Sequence, residues 1–232
     1  MPLSQPVSSP SRRPMLVIIN GTPQSGKDHA ARALMDNQAA IGRPVRIYRI
    51  SDALKTLTHL HYGLTCAVDA FESVKDEPRL EFAGLSPRDA YCRHWTHSVL
   101  PAYGPAGLGE MLAERIRQDI NSSVIPSDTL ITLPGAGCWP EVEPIVADFG
   151  DHNTVLIRIP NAPSGSPTDY RGRLEELEGT NATVIETPNR RDAGFSRSIV
   201  NAIGDYLSCR ALEVFLPEIN PPDHTIPARI FT

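Results

Sequence analysis

The sequence predicts an α/β fold built on a parallel five-stranded sheet, and three observations carry that prediction. Five β-type runs recur along the chain, helix-length stretches separate each from the next, and the first run passes straight into a glycine-bounded loop and a helix-compatible segment. Parallel neighbours cannot be joined by tight hairpins and need crossovers of a dozen or more residues, so this alternation favours a sheet with helices on both faces.

The strands are expected at residues 15–19, 44–50, 129–133, 154–159 and, more weakly, 182–186. Helices are expected at roughly 27–41, 51–63, 87–99, 106–121, 140–149, 169–178 and 193–214. In the fourth of these, Leu108, Met111, Leu112, Ile116 and Ile120 fall near helical spacing and give one apolar face. Residues 1–14, rich in Pro and Ser, read as a flexible arm, and the proline-bearing 216–232 as a tail that wraps the surface or remains mobile. Between them, 15–215 form one domain, with about 55–125 as a helical insertion suited to holding an acceptor. No internal repeat is visible.

Composition sets outer bounds. The chain has 232 residues and a formal net charge of −5, which argues against unspecific coating of DNA but leaves room for a local basic patch. Cys66, Cys92, Cys138 and Cys209 are scattered without CxxC spacing, so reduced thiols in a cytoplasmic setting are expected rather than disulfides or zinc. No apolar run approaches a membrane span, and the short N-terminal one does not read as a signal peptide.

The chemistry concentrates in Gly21-Thr22-Pro23-Gln24-Ser25-Gly26-Lys27-Asp28. Glycines at both ends let the backbone curl so that successive N–H groups face phosphate oxygens, and the helix that follows favours anions at its N-terminus. Lys27 then reaches the outer phosphates as a point charge. Asp28 stands where a Ser or Thr would usually hold magnesium. It is read as a ligand of Mg2+, alternatively as a general base or as an acid complementing the helix dipole. The third strand ends Leu133-Pro134 without an acid, so Asp28 takes over the metal, or Asp128 or Glu141 reaches in; Glu141 and Glu143 also suit the start of a helix.

Other candidates line the expected acceptor side. Asp52 follows the second strand, where open α/β sheets bind ligands, and either caps the next helix or orients and deprotonates an acceptor. Ser86-Pro87 reads as a helix start, bringing Arg88 and Arg93 to where an acceptor phosphate could be clamped. Arg171, with Arg173 second, is the candidate lid arginine over the transferring phosphoryl group. Arg190 and Arg191 follow the fifth strand, where adenine-contacting loops often lie, or are equally surface charge. His94 and His97 are a helical pair without a third metal ligand in register. Trp139 and Tyr103 are candidate stacking platforms, with core packing the competing role, more so for Tyr103.

Ser25-Gly26-Lys27-Asp28 resembles the bacteriophage deoxynucleoside monophosphate kinases and their P-loop kinase relatives, and animal phosphomevalonate kinases are similar at the same loop. Ser51-Asp52-Ala53-Leu54-Lys55, Ser86-Pro87-Arg88-Asp89-Ala90 and Asp169-Tyr170-Arg171 look like phage members, so the resemblance spans most of residues 15–205, with only the loop specific. It implies a three-layer P-loop NTPase (NMP-kinase-like) fold, with ATP and Mg2+ as cofactors. Gly21, Thr22, Pro23, Gln24, Ser25, Gly26, Lys27, Asp28, His29 and Arg190 would contact the donor, and Lys27, Asp28, Asp52, Arg88 and Arg171 would serve transfer. Relatives often carry Ser-Asp where this chain has Leu133-Pro134, and threonine where it has His29; the first departure is compatible with a changed acceptor. The expected activity is transfer of the γ-phosphate to a deoxynucleoside monophosphate. One alternative is the hydroxymethyl group of 5-hydroxymethyluracil in DNA, as in phage base hypermodification, with Arg12 and Arg13 of the arm near phosphate. The other is a nucleotide-dependent switch with little transfer.

Overall fold

The computed structural model describes residues 14–22, 25–160, 174, 177, 179–188 and 194–215, with side chains to residue 208 in the last segment. Its strands are β1 (Met15–Gly21), β2 (Val45–Ile47), β3 (Leu130–Pro134), β4 (Thr154–Ile159) and β5 (Thr183–Glu186). They form one sheet in the order β2-β3-β1-β4-β5, with every pairing parallel. The central strand is β1, with Leu16 opposite Ile131 on β3 and Thr154 on β4.

Alternation along β1 builds two cores. Leu16 and Ile18, with Ile131, Leu133 and Leu156, face α5 (Gly107–Asn121) and α6 (Trp139–Phe149), together with Ile50 of α2 (Ile50–His61). Met15, Val17 and Ile19, with Leu130, Val155 and Ile157, face α1 (Lys27–Ala40) and α7 (Gly194–Phe215). Leu16 through Ile19 are fully buried, which is why this run reads as continuously apolar. Burying a Leu or Ile side chain contributes about 1.5–3 kcal/mol, so the central strand anchors both layers.

The second strand is shorter than residues 44–50 suggest. Tyr48 N–H still donates to Thr132 O at 2.9 Å, but Arg49 turns the chain and α2 begins at Ile50. Ile50 is drawn into the core under α2 rather than extending an edge strand. The helix expected at 87–99 is α3 (Pro87–His94), a π-helical turn (Trp95–Val99) and α4 (Leu100–Tyr103). Pro101 lacks the N–H that the α-helical pattern would direct to His97, and the Leu100 N–H bonds Trp95 O instead. Between α2 and α3 the chain makes only single 3-10 turns at Glu72–Val74 and Leu80–Phe82. Phe82, fully buried, gathers Tyr62, Phe71 and Tyr91 edge-on, with His59 tilted against it. No described helix is long and apolar enough to cross a membrane.

The connection leaving β1 goes to α1 on one face, and that leaving β3 goes to α6 on the other. In an open parallel sheet such a divergence opens a crevice at the carboxyl ends of the two strands. Here that switch point falls between the loop after Gly21 and the turn after Pro134.

Candidate functional site

Two glycines shape the loop after β1. A β-carbon on Gly21 would stand 2.6 Å from Ser25 Oγ, closer than packing permits, and a tight 3.0 Å from the carbonyl oxygen of Ile159. Gly26 has φ 94° and ψ 15°, a left-handed conformation that costs other L-residues about 1–2 kcal/mol. That turn launches α1, and the Ala30 N–H donates to Gly26 O at 2.8 Å. Within the loop, Ser25 N–H donates to Thr22 O at 3.1 Å, and Ser25 is 1% exposed. Lys27 folds its ammonium back over the loop, donating to Gly21 O at 2.7 Å and Thr22 O at 2.6 Å. Gly26, the residue before α1, makes no side-chain cap, and the start of the helix is an end that favours anions. Pro23 and Gln24 lie outside the described residues.

The turn after β3 closes the other wall. Gly135 N–H donates to Ile19 O at 3.0 Å, and a β-carbon on Gly135 would lie 3.9 Å from Lys27 Cε. Asn20, 3% exposed, donates from Nδ2 to Ala136 O at 2.6 Å. That bond fixes which way the amide points, and it leaves Oδ1 buried without a hydrogen-bond partner among the described residues. A buried acceptor left unmade costs about 1–3 kcal/mol, and such groups in native proteins point to strain, catalysis, or an absent water or ion.

Asp28 lies in the first turn of α1, and its Oδ1 accepts from Arg49 Nη2 at 3.1 Å and Nε at 3.3 Å. Arg49 is the extended residue that precedes α2. Asp52 does not cap α2; it sits in the helix's first turn, where burial raises its carboxyl above the usual range against the pull of Lys55 and Arg49. His29 is directed toward α7, with Nε2 2.7 Å from Ser196 Oγ and its ring stacked on Phe195 at 6.3 Å.

Further out, Arg88, Lys55 and Lys75 are paired. Arg88 Nε donates to Asp76 Oδ1 at 2.6 Å, and Lys55 and Lys75 hold Glu72 at 3.0 and 2.7 Å. Those contacts, led by the Lys75 bond, pull the Glu72 carboxyl down to about 2. Ser86 caps α3 as its sequence suggested, accepting from Asp89 N–H at 3.1 Å. Arg93 is exposed. His94 Nδ1 lies 2.9 Å from Thr58 Oγ1 and its ring stacks on His61 at 4.8 Å. Among the described residues no group of three or more metal-ligating side chains occurs.

Of the two residues offered to replace the missing acid, Asp128 precedes β3 and so stands at the opposite end of the sheet from the loop. Glu141 is in the first turn of α6, at the correct end. Tyr103 is 55% exposed rather than packed, whereas Trp139 leans against the core. Arg171, Arg173, Arg190, Arg191, Arg12 and Arg13 lie outside the described residues, as does the tail 216–232. Cys66, Cys92 and Cys138 are free thiols.

Two residues of this region were not singled out by motif. Arg49 is separated from Asp28 by the whole of α1 and β2, and Asn20 reads as the tail of an apolar strand. The only sequence signal for either is a polar side chain at the carboxyl end of a strand.

These features define a parallel α/β protein with a glycine-hinged strand–loop–helix turn at the sheet's topological switch point. No family model matches the chain, and no curated protein matches it. It is similar to a crystal structure of a "putative kinase" from Chloroflexus aurantiacus, at 16% identity and a TM-score of 0.45, over 85% of this chain and 98% of that one.

Proposed function

We propose that this chain is an ATP-dependent kinase of the three-layer, NMP-kinase-like P-loop class that transfers the γ-phosphate to a deoxynucleotide. The observation that carries the reading is the Lys27 ammonium, held over the carbonyls of a glycine-hinged loop at the sheet's switch point. An anionic phosphate oxygen is a stronger partner for that amine than a neutral carbonyl, so ATP would draw Lys27 off the loop. The strand order supports the same class, because it sets the loop beside the carboxyl end of β3.

Two oxygens near the loop are candidate donors to a divalent cation. Asp28 supplies an exposed hard-oxygen donor in the first turn of α1, and Asn20 Oδ1, at the end of β1, is a buried acceptor lacking a partner among the described residues. Bound with ATP, Mg2+ would neutralise charge that develops on the phosphates. Asp28 would hold the metal and Lys27 would bind the outer phosphates. The acceptor would lie against α2 and α3, near Asp52 and Arg88.

A second reading rests on a specific observation. Arg88, Lys55 and Lys75 already have carboxylate partners, and Asp52 is half-buried with its carboxyl raised. A monophosphate needs cations and no base, whereas a hydroxyl acceptor benefits from a positioned carboxylate. This favours the hydroxymethyl group of 5-hydroxymethyluracil in DNA as the alternative acceptor, with Asp52 as the base. The deciding experiment is incubation with labelled ATP and Mg2+ in the presence of free deoxynucleoside monophosphates, ordinary DNA or 5-hydroxymethyluracil DNA. Label in free diphosphates supports the first reading, and label only in modified DNA the second. ATP loss without any labelled acceptor would reduce the chain to a nucleotide-dependent switch.

A further inference from the structure

Arg49 and the carboxylate of Asp28 join the loop that would hold the donor to the helix that borders the acceptor. Both guanidinium bonds land on the same oxygen, Asp28 Oδ1, at 3.1 and 3.3 Å. Arg49 reaches it from the extended residue before α2, and its carbonyl accepts from Asp52 N–H at 3.1 Å. The pair is open to solvent, with side-chain exposures of 36% for Arg49 and 64% for Asp28. Exposed pairs contribute little, roughly 0–1 kcal/mol, so this one is readily exchanged for a stronger partner.

We propose that Arg49 is a positioning residue that holds Asp28 in the ligand-free chain and competes with the divalent cation of the nucleotide for the same carboxylate oxygen. The inference rests on the donor reading above and adds a residue to it. A doubly charged cation beside a phosphate chain outbids a monovalent guanidinium for a hard oxygen. Displacement frees Arg49 where α2 begins, one turn from Asp52. Loading of the donor site is thereby coupled to the charge at the acceptor side.

The test measures Mn2+ affinity by electron paramagnetic resonance of the full-length protein in the presence of saturating ADP. Arg49→Gln is predicted to tighten Mn2+ about three- to tenfold, Arg49→Lys to tighten it less, and Arg49→Gln to have no effect in an Asp28→Asn background. Arg46→Gln, which removes an exposed charge three residues before Arg49 that makes no bond to Asp28, is the control and should leave Mn2+ affinity within twofold. The proposal is overturned if Arg49→Gln leaves Mn2+ affinity unchanged, if the gain persists without the Asp28 carboxylate, or if Arg46→Gln gives the same gain. Failure of the donor reading is a separate result: ADP, titrated without metal, would then bind wild type and Lys27→Ala equally.

Discussion

Gly21 and Ser25 approach so closely across the loop that a β-carbon on the glycine would fall 2.6 Å from the serine hydroxyl oxygen. On its other side stands backbone, Ile159 O at 3.0 Å, which cannot swing aside. Gly21→Ala is therefore predicted to cost about 1–3 kcal/mol by overpacking and to weaken ATP binding by spreading the loop. Gly26→Ala should cost about 1–2 kcal/mol for its left-handed backbone alone. Thermal unfolding with and without ATP checks both. A variant of Gly21 with wild-type stability and ATP-induced stabilisation would show that the loop is not shaped by this contact.

Asp52 offers a stability–activity contrast. Its carboxyl is raised chiefly by burial, so the folded state disfavours the charge. Its contribution to stability falls as pH rises above the ordinary value of 3.8, because the unfolded chain loses the proton first. Asp52→Asn is predicted to keep or raise Tm at neutral pH while lowering transfer at least tenfold under the hydroxyl-acceptor reading. If Tm falls by several degrees and transfer is unaffected, Asp52 has a structural role.

Asn20 holds the turn after β3 through its bond to Ala136 O. Asn20→Ala deletes that bond and leaves the carbonyl unpaired, at a cost of about 1 kcal/mol, or roughly 2–4 °C in Tm for a chain of this size. Because the turn borders Lys27, nucleotide affinity should fall as well. Differential scanning calorimetry with an ATP titration measures both, and no change in either would remove Asn20 from the site.

The pH dependence of stability has a defined sign. Burial holds His59 and His94 below the ordinary value of 6.5, so on acidification the unfolded chain binds protons first. Their contribution is present above pH 6.5 and is lost as pH falls toward the depressed folded values. Glu72 acts in the same direction at lower pH, between its ordinary 4.5 and about 2. Tm should therefore decline steadily from pH 7.5 to pH 5, and His59→Phe should flatten that slope. A Tm that rises on acidification across this window would contradict the burial of these imidazoles.

The parallel sheet was legible because its strands are short apolar runs with helix-length spacers, and β1 reads as a strand on any scale. The glycine-bounded loop was legible for the same reason: its spacing is local. Contacts made across the fold were not. The Asp28–Arg49 pair depends on how β2 turns into α2, and the Asn20 bond to Ala136 depends on β1 and β3 being neighbours in the sheet. The end of the second strand was obscured because Tyr48, Arg49 and Ile50 carry strand-like composition, while burial of Ile50 under α2 decides the boundary. Tyr103 shows the limit from the other side: its aromatic character suggests a core, but its place at the end of α4 leaves it in solvent.

In the kinase reading the loop from Gly21 to Asp28 grips the phosphates of ATP through Lys27. Isothermal titration of ATP into wild type and Lys27→Ala tests it most directly, with calorimetric Tm as the control for folding. At least a tenfold loss of affinity is expected in a variant that still folds, because a phosphate oxygen is a stronger partner for the amine than the loop carbonyls of Gly21 and Thr22. Equal ATP affinity in the two proteins would contradict it.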